Sequence, residues 1–165
     1  MEIMTRYLLP CLWAFLACFG FSIIFNVRGR GVWIACFGGS LGWLVYILFG
    51  STIPAAFFAA VAIGFFAEVM ARLRRCPVTG YVLIALLPLV PGGGIYYAMR
   101  YAIAGDTQLF LSTLLRTFGI AAALAVGAMI SSSLFRTVFS YLARRRELLR
   151  ASRAHSGQHS RRFPH

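Results

Sequence analysis

Apolar residues fall into five long stretches, at about 7–27, 32–49, 52–70, 78–99 and 109–135, with short polar clusters between them. A hydrocarbon core of ~30 Å takes about 20 helical residues. Each stretch therefore predicts a transmembrane helix, and together they predict an all-α, polytopic membrane protein with about five spans. Only Gly50 and Ser51 separate the second stretch from the third, which predicts an antiparallel helical hairpin. The first stretch is longer than the apolar region of a signal peptide, and "FNVRGR" follows it in place of a small-residue cleavage site. It reads as a retained helix. Residues 1–143 form one transmembrane domain on this reading, and the Arg-rich segment 144–165 is expected to be a disordered cytoplasmic tail.

Composition agrees. Of 165 residues, 60% are hydrophobic and only 12% charged, about half the charge of a soluble domain. The net charge of +12 comes entirely from arginine. In a soluble protein it would suggest nucleic acid, but no aromatic and basic reading surface is visible and the arginines sit between apolar runs. They report topology instead. Arg28 and Arg30, then Arg72, Arg74 and Arg75, then the tail all fall on one side if there are five spans. The other side has Arg6 with Glu2, the Gly50-Ser51 turn, and a connection with Arg100 and Asp106. The basic side is expected to be cytoplasmic, with the N-terminus outside and the C-terminus inside.

Within this frame "LLPLVPGGGIYY", residues 86–97, is anomalous. Pro88 and Pro91 have no N–H, and each crowds the carbonyl four residues earlier, at Ile84 and Leu87. Gly92, Gly93 and Gly94 then ease departure from helical geometry. Freed backbone groups cannot face lipid, so the break must face protein or a wet cavity. Discontinuous transport helices have this arrangement, with carbonyls offered on one side and N–H groups on the other. The plainer alternative is a packing kink or a loop between short re-entrant pieces.

Three other residues are candidates for substrate or coupling work. Glu68 lies near the cytoplasmic end of the third stretch, either in an ion pair with Arg72 at i,i+4 or as a protonatable coupling group. Arg116 lies about two turns into the fifth stretch; it snorkels, or it pairs with Asp106 or a substrate carboxylate. Asn26 ends the first stretch and is placed to cap it or to bond within the bundle. Small residues mark packing faces: Gly38 and Gly42 in the second stretch, and Gly119, Ala123, Gly127 and Ser131 in the fifth. These faces serve contacts within the chain or between subunits.

Enzymatic signals are absent: there is no HExxH, no nucleophile motif, no phosphate-binding loop and no pair of carboxylates in a span. Cys11, Cys18, Cys36 and Cys76 form no CxxC pair and read as small apolar residues. His155, His159 and His165 lie in the polar tail, so no metal or other cofactor is expected.

"FSIIFNVRGR", "GGSLGWLVYIL" and "GFFAEVMARLRRCPVTGYVLIALLPLVPGGGIYYAM" together resemble the threonine/serine exporter family. The likeness is to its short five-helix subunit, which corresponds to the C-terminal half of full-length exporters. It covers about Ser22–Ser131 and leaves out the Arg-rich tail. Ala67-Glu68, Cys76-Pro77 and Pro88–Gly94 match in order and spacing. The resemblance implies a bacterial inner-membrane exporter of small polar metabolites, driven by the proton gradient and working with a second subunit that carries the N-terminal-half domain. A split pair of this family is associated with succinate export, which leaves a dicarboxylate as the alternative substrate. Carried over by position, the motif residues are Glu68, Pro77, Pro88, Pro91, Gly92 and Gly93. The rival reading is a non-transporting assembly subunit, or homo-oligomer, held by the small-residue faces.

Overall fold

The computed structural model describes residues 4–27, 29, 31–74 and 78–160. Helix α1, Leu9–Ile24, follows a single π-helical turn, Met4–Leu8; α2 is Gly31–Leu48 and α3 is Ile53–Arg74. Helix α4, Val78–Leu86, leads into a 3-10 turn, Leu87–Leu89; α5 is Gly92–Ile103 and α6 is Thr107–Ser160. No strand occurs among the described residues. The π-helical turn stands just before Pro10, which has no N–H to return to the preceding turn.

Three helices stop in the same way, on a residue in the left-handed region. These residues are Asn26 (φ 52°), Gly50 (φ 79°) and Gly105 (φ 77°). After α1, Val27 N–H donates to Ser22 O and Asn26 N–H to Ile23 O. After α2, Ser51 N–H donates to Tyr46 O and Gly50 N–H to Ile47 O. After α5, Asp106 N–H donates to Tyr101 O and Gly105 N–H to Ala102 O. This pair of bonds satisfies carbonyls that a helix end would leave bare. Asp106 then opens α6, its carboxylate accepting the Leu109 N–H at 3.1 Å. Short, self-satisfied turns of this kind suit neighbouring antiparallel helices.

Four helical stretches are each long and apolar enough to cross a membrane: Met4–Ile24, Gly31–Leu48, Ile53–Arg74 and Thr107–Val138. The fourth crossing in chain order is a pair, Val78–Leu89 and Gly92–Ile103, bent by 43°. A re-entrant loop must reverse its direction. A 43° bend leaves both halves heading the same way, and at ~1.5 Å per residue they reach about 35 Å end to end. The pair therefore has the length and direction of one broken span.

Helix α3 is the centre. In its span 44% of residues are buried, against 17% in the first and last spans. Its inward face is almost wholly small: Ala55, Ala56, Ala59, Ala60, Gly64, Ala67 and Ala71. Bulky residues such as Trp13, Phe37, Phe65 and Phe118 point outward, as lipid allows. On α2, a Cβ at Gly38 would meet Phe66 and Ala85, and one at Gly42 would overlap Ile63. On α6, Gly119 faces Ile53, Gly127 faces Phe57 O and Ala60, and Ser131 fills the space left by Gly64. Ala123 packs against the cluster formed by Ala56, Ile63, Leu89 and Leu124. The small-residue faces read from the sequence are thus contacts within the chain, running α6 parallel to α3.

Two compact units divide the chain, Met1–Ser132 and Ser133–His165. In the second unit the backbone is helical through Ser160. "YLARRRELLRA" is built from strong helix formers, which carry the helix on despite the polarity.

Candidate functional site

The fourth crossing breaks where the prolines demand it. Pro88 lies in the 3-10 turn Leu87–Leu89, Val90 is extended (φ −60°, ψ 127°), and Pro91 stands just before α5. Each carbonyl that a proline deprived of its helical donor has found another. The thiol of Cys18 donates to Ile84 O at 3.4 Å, and Val90 N–H donates to Leu87 O at 3.2 Å. Gly92 N–H turns back to Val90 O at 2.8 Å, and Ile95 N–H to Pro91 O at 3.3 Å. The N–H groups of Gly93 and Gly94, in the first turn of α5, open off the helix end. This end carries partial positive charge, and no side chain caps it.

Its depth follows from packing. Leu89 reaches Gly42, and α2 continues six residues further, about 9 Å, to Leu48. The break therefore lies inside the bundle, below the end that carries the Gly50-Ser51 turn. Gly92 and Gly93 have nothing within 4 Å of a Cβ position, whereas Gly94 is pressed against the buried Thr117 of α6. Pro88 also borders a cleft of about 370 Å³, with Leu9, Pro10, Trp13 and Ala14 of α1 and Trp43 of α2. The cleft is apolar, and Trp43 on its wall has a buried indole N–H with no acceptor among the described residues. A buried donor left unpaired costs about 1–3 kcal/mol, so its retention calls for a reason.

Glu68 is buried, 6% exposed, on the inward face of α3, and its Oε2 lies 3.3 Å from Arg72 Nη2. The ion pair read from the i,i+4 spacing is therefore present. Glu68 does not share a site with the break. Ile63, level with Leu89 across Gly42, is five residues from Glu68, about 7.5 Å along α3.

Arg116 is exposed on α6 and forms no ion pair among the described residues. Of the alternatives open to it, pairing with Asp106 does not occur: the two are ten residues, about 15 Å, apart along one helix, and Asp106 caps that helix. Gly119 packs against Ile53, the first residue of α3, which puts Arg116 about one turn beyond the start of that neighbour. The adjacent Thr117 packs on Gly94, so Arg116 lies level with the first turn of α5. Asn26 is exposed and serves as the left-handed cap of α1. Pro77, Cys76, Arg75, Arg28 and Arg30 lie outside the described residues.

Three participants had no separable signal in the sequence. Cys18 looked like any small apolar residue, Thr117 like any helical threonine, and Trp43 like a lipid-facing aromatic. Only the partners across the bundle distinguish them. Among the described residues no group of three His, Cys, Asp or Glu side chains could hold a metal.

A family model described as "Threonine/Serine exporter, ThrE" matches residues 10–134, which takes in α1 to α5 and the part of α6 that packs on α3. No curated protein and no solved structure matches the chain.

Proposed function

The chain belongs to the threonine/serine exporter family, is a multi-pass membrane protein of transport type, and from that premise we propose that it is one subunit of a proton-coupled exporter of threonine, serine or a closely similar small polar metabolite. The observation that carries this reading is the break at Leu87–Pro91. Its freed carbonyls are paired inside the protein, while the N–H groups of Gly93 and Gly94 in the first turn of α5 have no side-chain cap. Such an end attracts a carboxylate. Every amino acid exported by this route carries a carboxylate, as does a dicarboxylate such as succinate.

Glu68 is the proposed proton carrier. It is the one acidic residue within a span, buried and half-neutralised by an arginine that is 33% exposed. Protonation of the carboxyl would release Arg72, giving the α3 end two charge states for two conformations. Separation of Glu68 from the break by about one and a half turns makes this coupling indirect, through α3 itself. The distribution of basic segments supports an orientation with the N-terminus outside and the C-terminus in the cytoplasm of a bacterial inner membrane. Five spans make a small bundle for an alternating-access path, and a second membrane subunit completes it.

The test is efflux. Exporter-deficient cells are loaded with labelled threonine, serine and succinate, and release is followed with this chain alone and with its candidate partner. Efflux that collapses with the proton gradient, and that Glu68→Gln abolishes at equal membrane levels, supports the proposal. Unchanged efflux and pH dependence in Glu68→Gln removes Glu68 from the coupling. Pro91→Ala with Gly93→Ala should straighten the span and stop release; normal transport there identifies the break as a packing kink.

A further inference from the structure

We infer that Cys18 is a positioning residue for the broken span: its thiol replaces the hydrogen-bond donor that Pro88 removes, and so holds the end of α4 in the geometry that presents the break. This rests on the break being the transport site. The observation is a three-helix device. Pro88 has no N–H for Ile84 O, and Cys18 of α1 supplies an S–H to that carbonyl from 3.4 Å. Cys18 is fully buried, so no water competes for the carbonyl. The thiol reaches it only because residue 39 of α2 is glycine. A Cβ there would collide with Cys18 Sγ and would also touch Ala85 O and Cα on α4.

The backbone around the thiol is arranged to keep it there. Ser22 donates to Cys18 O at 2.8 Å, bonding to its own helix four residues back. Cys18 and Ile84 belong to one buried cluster with Cys36, Ala35, Ala67 and Tyr81, so neither α1 nor α4 can shift there without opening a void. A carbonyl at this depth with no donor would be costly in lipid. The remedy available to α4 would be to rotate or unwind, which would carry the 3-10 turn and the α5 end with it. Cysteine is suited to the place, being as buried as an aliphatic residue yet able to donate.

Two measurements test this separately. The first is the infrared S–H stretch of the purified protein in bilayers, with the Cys18 component taken as the difference between wild type and Cys18→Ala. Pro88→Ala returns an N–H to Ile84 O in competition with the thiol, and the Cys18 component should move to the higher frequency of an unbonded thiol. The second is export kinetics at matched membrane levels. Cys18→Ala should raise the KM for export about 3- to 5-fold, the weight of one modest hydrogen bond, and Cys18→Ser should restore it. A packing role predicts the opposite order, because serine fills the site less well than cysteine and is more polar. Gly39→Ala should reproduce the Cys18→Ala defect and add little to it in the double variant, where the alanine occupies space the thiol has left.

An S–H component unmoved by Pro88→Ala overturns the capping assignment. A moved component with equal KM values in Cys18→Ala and Cys18→Ser overturns the positioning role. Absence of any export by the wild-type chain and partner, with the S–H shift intact, defeats the transport reading and leaves the cap standing.

Discussion

Gly127→Ala, set against Gly93→Ala, tests whether the glycine face of α6 belongs to the fold of the chain or to contact with another subunit. The chemical change is the same at both positions, but the surroundings are opposite. A Cβ at Gly127 would lie 2.7 Å from Phe57 O and 2.9 Å from the Ala60 Cβ. Ordinary contacts of these kinds are about 3.4–4.0 Å, so the overlap is roughly 0.6–1 Å. Both obstacles are backbone or Cβ atoms of α3 and cannot rotate aside. Helix α6 must back away from α3, and a gap of ~0.5–1 Å forfeits a quarter to a half of each dispersion contact it opens. Overpacking of this kind costs about 1–3 kcal/mol. At Gly93 nothing lies within 4 Å, and alanine in a helical position gains about 0.5–1 kcal/mol over glycine. The assay is reversible unfolding of the purified single chain in mixed micelles. The expected result is a loss for Gly127→Ala and no loss, or a small gain, for Gly93→Ala. If Gly127→Ala leaves the isolated chain as stable as wild type and weakens only its assembly with a partner, the assignment of this face to the α3 contact is wrong.

Other outcomes follow from the helix ends and the termini. Asp106→Ala removes the acceptor of the Leu109 N–H at the start of α6 and should cost about 1 kcal/mol in the same unfolding assay. Asn26→Gly should be close to neutral, because position 26 has φ 52°, whereas Asn26→Val forces a β-branched residue into that region and should cost about 1–2 kcal/mol. Reporter fusions should be active as cytoplasmic reporters after residue 145 and as external reporters in the Gly50-Ser51 turn. A C-terminal fusion on the external side would mean that the bent pair α4 and α5 does not cross as one span.

The sequence by itself determined the membrane class, the number and places of the apolar stretches and the position of the break. These are one-dimensional properties: hydrocarbon thickness sets a length, and proline removes a donor wherever it stands. The tight Gly50-Ser51 hairpin and the Glu68–Arg72 pair were legible for the same reason, since turn length and i,i+4 spacing are local. The family could be recognised because motifs are also linear. What answers the two prolines was not legible. That Ile84 O meets Cys18, that Gly39 makes the room, and that Gly94 is pressed against Thr117 depend on which helix faces which. In a bundle where every surface is apolar, hydrophobic periodicity does not say which face is inward. Arg116 shows the same limit. Its place along its own stretch could be counted, but only the contact of Gly119 with Ile53 shows that α6 begins beyond the start of α3. Depth and partnership are relations between helices, and tertiary packing alone decides them.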